Sequence, residues 1–213
     1  MGKKILTGFK KYVEEHEIKL LDEWFKQKSD NFRLAYMFMK YMGMRVGDTV
    51  TVKSTGIQGN ILHFYMHKVK RYHSQPIPEK LLLYLNEYYI PKYEDLFEND
   101  YIIYTKNAFS KQKGNQHIAP GTIRTEFDRC RRFHNLCDAY HKTKDGRKLH
   151  RLTPHSLRHN YVEKCTDAGL RDDQIGELTG WLGKNTYKLT NIYRRAYRHK
   201  EKFDLMERAV SLI

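Results

Sequence analysis

The stretch from Thr153 to Tyr193 constrains the fold more than any other part of the 213-residue chain. It reads TPHSLRHNYVEKCTDAGLRDDQIGELTGWLGKNTYKLTNIY. Thr153 is an N-cap by type, and Pro154 stands at the first helical position, where a missing N–H costs nothing. The helix they open spans 154–168 and stops at Gly169. Asp172 or Asp173 opens a second helix that reaches about Thr179. Gly180-Trp181-Leu182-Gly183 reads as a turn, and a further helix carries Tyr187 to about Tyr197. The pattern predicts short helices with glycine stops. His155 and Arg158, three apart, fall on one face of the first of them.

Upstream, residues 1–15 are a short basic lead-in. Residues 16–42 read as helical, with a break and a new N-cap at Ser29-Asp30-Asn31. Gly43 and Gly47 bracket Met44-Arg45-Val46, so a helix end runs into another helical turn and Arg45 is rigidly placed. Residues 48–54 (DTVTVKS), 60–66 (NILHFYM) and roughly 72–77 (YHSQPI) alternate like strands. Gly56 and Gly59 mark the first turn. The second carries Lys68, Lys70 and Arg71, so the sheet presents a cluster of cations at its tip. Pro76 and Pro78 make the third strand an edge or a short one. Helix 79–90 stops at Pro91, Tyr101–Tyr104 is a brief apolar piece, and 105–120 is a loop. Helix 121–140 follows, then a basic linker over 141–151 with a turn at Asp145-Gly146. Phe203, Met206, Val210 and Ile213 give the C-terminus an amphipathic helix from about residue 198. The predicted class is α+β, mainly α-helical, with a small three-stranded antiparallel sheet near the N-terminal third. Residues 16–213 form a single catalytic domain in this reading.

Lys plus Arg total 39 against 25 for Asp plus Glu, a net charge of +14. The excess recurs along the chain, at Lys68–Arg71, Arg129–Arg132, Lys142–Arg151 and Arg194–Lys202. Distributed positive charge on a chain that is 40% hydrophobic points to a folded binder of a polyanion, most often nucleic acid. No apolar run approaches a membrane span and Lys3-Lys4 lead into no signal-like stretch, so the expectation is a cytoplasmic protein without membrane association. Three cysteines argue against a disulfide framework. Cys130, His134, Cys137 and His141 are spaced like metal ligands, but along one continuous helix four such groups cannot close a tetrahedron. They read as a packing stripe, and no metal is expected.

With these residues in place the chain resembles the catalytic domain of the tyrosine recombinases. This is the integrase family of phages, archaeal viruses and plasmids, which includes the Xer-type resolvases. The resemblance covers about 16 to 200. The family's first arginine motif, T-G-x-R-x-x-E, stands as Met42-Gly43-Met44-Arg45-Val46-Gly47-Asp48. The β-hairpin lysine is Lys70, with Lys68 as its rival. The H-x-L-R-H block is intact at His155-Ser156-Leu157-Arg158-His159, and the L-G-H/W element stands as Thr179-Gly180-Trp181. The nucleophile by this resemblance is Tyr193, in the context Asn191-Ile192-Tyr193-Arg194.

The resemblance implies an integration or excision enzyme that cuts and rejoins double-stranded DNA through a covalent 3′-phosphotyrosine, with neither metal nor cofactor. Two guanidinium forks, Arg45 and Arg158, suit the nonbridging oxygens of a pentavalent phosphorus, a geometry lysine cannot copy. Lys70 is the implied acid for the leaving 5′ oxygen and His155 the implied aid to proton transfer at the tyrosine. Trp181 can offer only its indole N–H. Lys68, Arg71, Arg194 and Arg195 are implied DNA contacts, and a homotetramer on DNA is the implied assembly. Trp181 and Tyr193 lie further apart than is usual in the bacterial members, which leaves Tyr187 and Tyr197 open as nucleophiles. There is also no room before residue 16 for the helical DNA-clamping domain that members usually carry, so the chain reads as a fragment or a minimal member. Two alternatives stay open: a DNA-binding fragment without competent catalysis, and a type IB topoisomerase-like relaxase, against which the His of H-x-x-R argues.

Overall fold

Helix α1 (Glu15–Lys26) begins where Glu14 and Glu17 close a capping box, with the Glu14 N–H donating to Glu17 Oε2 at 2.9 Å. Its Ile18, Leu21 and Phe25 recur at helical spacing and are all buried. The break at Ser29 gives α2 (Asp30–Met42), which buries Leu34, Phe38, Met39 and Met42 and lays the Tyr36 ring on Phe25 at 4.6 Å. The computed structural model describes residues 13–93, 101–105, 117–137, 139–142, 146 and 148–180. The lead-in before residue 13 and the C-terminal helix from about 198 lie outside them.

Residues 48–54 are not a strand. Val46–Val50 form a short helix α3, and Ser54–Gly56 a 3₁₀ turn. The Thr49 hydroxyl donates to the Arg45 carbonyl at 3.0 Å and the Thr51 hydroxyl to that of Gly47 at 3.2 Å, four residues back in each case. Such local bonds offset the strand preference of β-branched residues. Val50 and Val52 are buried all the same, so the apolar alternation marked the core and not a strand.

The sheet is three-stranded and antiparallel in the order β1 (Ile57–Gln58), β2 (Ile61–Met66), β3 (Arg71–Pro76). Leu62, Phe64 and Met66 turn one face of β2 to the core. The register pairs Met66 with Arg71, so residues 67–70 form the tip. Helix α4 (Glu79–Leu83) runs through a π-helical stretch, Tyr84–Tyr89, into a last turn α5 (Ile90–Lys92). Pro91 therefore does not end the helix. The Ile90 N–H reaches five residues back to Leu85, a wider coil that relieves the clash a proline ring makes with the carbonyl four residues before it. Tyr89 is fully buried and donates to the Ile102 carbonyl at 2.6 Å, which ties the 101–105 piece to the core.

Helix α6 (Pro120–Phe133) ends earlier than its periodicity suggests: Asn135 takes a left-handed φ of 54° and the chain enters β4 (Ala139–Lys142). β4 pairs with β5 (Lys148–His150), so the expected basic linker is a hairpin. This overturns the packing stripe: Cys130 is buried on the helix, but Cys137 is exposed beyond its end. Helices α7 (Pro154–Asp167) and α8 (Asp172–Thr179) complete the described chain, α7 against α2 and α8 against α7 through Val162, Cys165 and Ile175. Among the described residues, no helix is long and apolar enough to cross a membrane.

Candidate active site

Helix α7 is where sequence and structure agree most closely. Thr153 caps it, its hydroxyl accepting from the Ser156 N–H at 3.3 Å. Leu157, Val162 and their neighbours bury most of the helix, and this burial places the first turn and a half. His155 is exposed there, with its ring edge-on to that of His159 at 4.8 Å. Arg158 is 3% exposed. Its Nη1 donates to the Gly43 carbonyl at 2.7 Å and its Nη2 to the Thr179 carbonyl at 2.6 Å, and these two bonds fix the plane of the guanidinium.

Gly43 ends α2 with φ 61°. A Cβ there would lie 2.5 Å from Tyr161 Cδ1, so only glycine lets α7 come this close. Two residues on, Arg45 is the N-cap of α3. Arg45 Nη1 lies 3.6 Å from Asp48 Oδ2, too far for a hydrogen bond, and neither buried atom has a hydrogen-bond partner among the described residues. The other Asp48 oxygen accepts from the His67 N–H at 3.0 Å, and the Thr51 hydroxyl meets His67 Nε2 at 3.0 Å. Asp48 thus joins the helix that carries Arg45 to the tip of the β2–β3 hairpin.

These contacts form a cleft of about 940 Å³ lined by Arg45, Asp48, His67, Lys68, His155 and Arg158, among others. Arg124, Asp128 and Arg131 from α6 line it too. Arg124 is exposed; Arg131 is buried, bonded to the Leu152 carbonyl at 2.6 Å and paired with Asp128. The cleft is cationic, with Asp48 and Asp128 its only carboxylates among the described residues.

Of the expected residues, the fold gathers Arg45, His155 and Arg158 around this cleft, together with Lys68. Lys70 is exposed on the same turn with a left-handed φ of 52° and does not line the cleft. Arg71, expected to face DNA, donates through Nη2 to the Gly180 carbonyl at 2.7 Å. Trp181, Tyr187, Tyr193, Arg194, Arg195 and Tyr197 lie outside the described residues. Arg124 was missed in the sequence, although Arg124, Asp128 and Arg131 recur at helical spacing beside the buried Ile123, Phe127 and Cys130. Two cations of the sequence clusters are neutralised within the protein: Arg151 pairs with Glu17 at 2.7 Å and Arg129 with Glu126. No group of three metal-ligating side chains occurs among the described residues.

The model of the phage integrase family matches residues 11–200. The chain belongs to that family. A tyrosine recombinase of Thermosipho africanus (strain TCF52B) is 25% identical over 200 residues, which are 92% of this chain and 61% of that protein. The crystal structure of XerA recombinase superposes with a TM-score of 0.62 at 19% identity, covering 89% of this chain and 64% of that one. A lambda integrase dimer bound to a COC′ core site gives 0.61 at 18% identity, covering 87% and 48%. The chain thus spans about three fifths of the length of the first two of these relatives. The mainly helical architecture with a small antiparallel sheet is that of the integrase-family structures it matches.

Proposed function

We propose that this chain cleaves and rejoins double-stranded DNA at specific sites through a covalent 3′-phosphotyrosine at Tyr193, and that it acts as an assembly of several copies on DNA in the cytoplasm. The observation that carries this reading is the convergence of Arg45, Lys68, His155 and Arg158, distant in sequence, on one cationic cleft in a chain of the phage integrase family. The neighbours include a lambda integrase dimer on a core site and a lambda integrase tetramer on a Holliday junction, which supports DNA as the substrate and a multimer as the working form.

In this mechanism Arg45 and Arg158 bind the nonbridging oxygens of the scissile phosphate. Arg45 brings a guanidinium with a buried nitrogen that makes no hydrogen bond among the described residues, and Arg158 one already oriented by two carbonyls. Their charge opposes the charge that builds on the pentavalent phosphorus, without reorganisation during the reaction. The Tyr193 oxygen forms a bond to phosphorus as the bond to the 5′ oxygen breaks, and the phenolic proton passes toward His155. A lysine of the β2–β3 turn protonates the departing 5′ oxygen. The family motif favours Lys70 for that role; lining of the cleft favours Lys68. Rejoining is the same step in reverse, because the phosphotyrosine conserves the ester energy.

The test is covalent trapping on nicked duplexes of randomised sequence. The wild-type chain should give a protein–DNA adduct on a denaturing gel, and mass spectrometry should place it on Tyr193. Tyr193→Phe should bind DNA without forming it. An adduct that persists in Tyr193→Phe removes Tyr193 from the role. Salt-sensitive DNA binding with no wild-type adduct means a DNA-binding module instead.

A further inference from the structure

A helix leaves its last carbonyls without partners inside the helix. At the end of α8 three consecutive carbonyls are each met by a different side chain from outside. His73 Nε2 meets the Leu178 carbonyl at 3.3 Å, Arg158 Nη2 the Thr179 carbonyl at 2.6 Å, and Arg71 Nη2 the Gly180 carbonyl at 2.7 Å. Two of the three come from β3, the strand that leaves the turn carrying Lys68 and Lys70. Gly180 has φ 68°, and a Cβ there would collide with Met66 Sδ, so the end of α8 is pressed onto the last residue of β2 as well. The His73 ring is held edge-on to Phe64 at 5.4 Å.

Resting on the tyrosine chemistry proposed above, we propose that Arg71 and His73 are positioning residues for strand cleavage. They hold the Gly180 and Leu178 carbonyls and so fix, relative to the lysine turn, the point from which the chain runs on to Trp181 and Tyr193. Arg71 acts through the main chain in this role and not as a phosphate contact. Burial depresses the pKa of His73 below its ordinary 6.5, against the carbonyl bond, and Arg71 and Arg158 add to the lowering. The ring is therefore neutral at neutral pH, with Nε2 carrying the proton it donates.

The experiment uses the full chain and the nicked duplexes, and reads DNA affinity against salt separately from single-turnover adduct formation at saturating DNA. Arg71→Ala and His73→Phe should bind with unchanged affinity and salt slope but form the adduct roughly ten- to a hundredfold more slowly, as expected when a reacting group is misplaced by about an ångström. Arg71→Lys and His73→Gln each keep an N–H donor and should recover most of the rate. Melting curves confirm folding, and the conservative pair remains decisive if the other two unfold. The proposal is overturned if Arg71→Ala weakens binding and lowers the salt slope by about one at an unchanged saturated rate, the signature of a phosphate contact. Adduct formation at the wild-type rate in all four variants overturns it too. If the wild-type chain gives no adduct, the tyrosine reading fails by itself. The cap is then read by amide exchange over Leu178–Gly180, which should rise in Arg71→Ala and His73→Phe; unchanged exchange overturns the positioning role.

Discussion

The guanidinium of Arg158 donates to the carbonyl of Gly43 at 2.7 Å, across 115 residues of chain. Its other terminal nitrogen holds Thr179. One buried side chain thus ties the segment before Arg45 to the segment before Trp181, and the candidate phosphate clamp is also a structural joint.

Replacing Arg158 should therefore cost stability as well as chemistry. Arg158→Lys cannot reach both carbonyls, and one is left buried without a donor. Such a loss is worth about 1–3 kcal/mol, or a melting temperature lower by several degrees in calorimetry. Adduct formation should disappear in the same variant. Wild-type melting with lost activity would assign Arg158 to chemistry alone.

Asp48 predicts a graded pair. Asp48→Asn retains an oxygen for the His67 N–H but removes the charge facing Arg45, whereas Asp48→Ala removes both. Denaturant titration should show the alanine variant less stable than the asparagine variant by roughly 1 kcal/mol, the net worth of one hydrogen bond. Equal stabilities would mean that the His67 bond contributes nothing.

Gly43 should not tolerate a side chain. Gly43→Ala faces the left-handed backbone penalty of about 1–2 kcal/mol, and its Cβ would collide with the Tyr161 ring. A loss of at least that size in chemical denaturation is expected. A neutral substitution would show that α7 can move away from α2 freely.

The two lysines of the turn can be separated by changing the leaving group. With a bridging 5′ sulfur, the departing atom needs no proton, so loss of the true acid should be rescued. Geometry at the cleft favours rescue of Lys68→Ala, the family motif rescue of Lys70→Ala. Rescue of neither removes the turn from acid catalysis.

Asp30 predicts the acid side of the stability curve. Burial acts to raise its pKa, but hydrogen bonds from Lys92, Tyr93 and Tyr88 and the Lys92 charge outweigh it and hold the carboxyl below its ordinary 3.8. A depressed folded pKa stabilises the native state above the unfolded value, and that contribution is lost as pH falls below 3.8 toward the folded value. The stability difference between the wild type and Asp30→Asn should therefore shrink across that window. A constant difference would show that Asp30 contributes nothing pH-dependent.

Much of the fold was legible locally. The Thr153-Pro154 cap, the stop at Gly43, the break at Ser29 and the second and third strands all follow from short-range chemistry. The failures have physical causes. Residues 48–54 alternate like a strand, yet threonine hydroxyls bonded four residues back make part of them helical. The periodicity of α6 continues past Phe133, but a left-handed Asn135 ends it and a hairpin follows. At the site, Arg124 was legible only as one more cation on a polar helix face.

By itself, the sequence determined the helix caps and stops, the cationic balance and the order of arginine, lysine, H-x-x-R and tyrosine. Each is a property of a residue and its near neighbours. The tertiary structure decided which cations meet. It brought Arg45 and Arg158 to one cleft, turned Lys68 into it, and sent Arg71 and His73 to the end of α8. Several of those choices rest on hydrogen bonds that join residues about a hundred positions apart, such as Arg71 to Gly180, which no reading of near neighbours can supply.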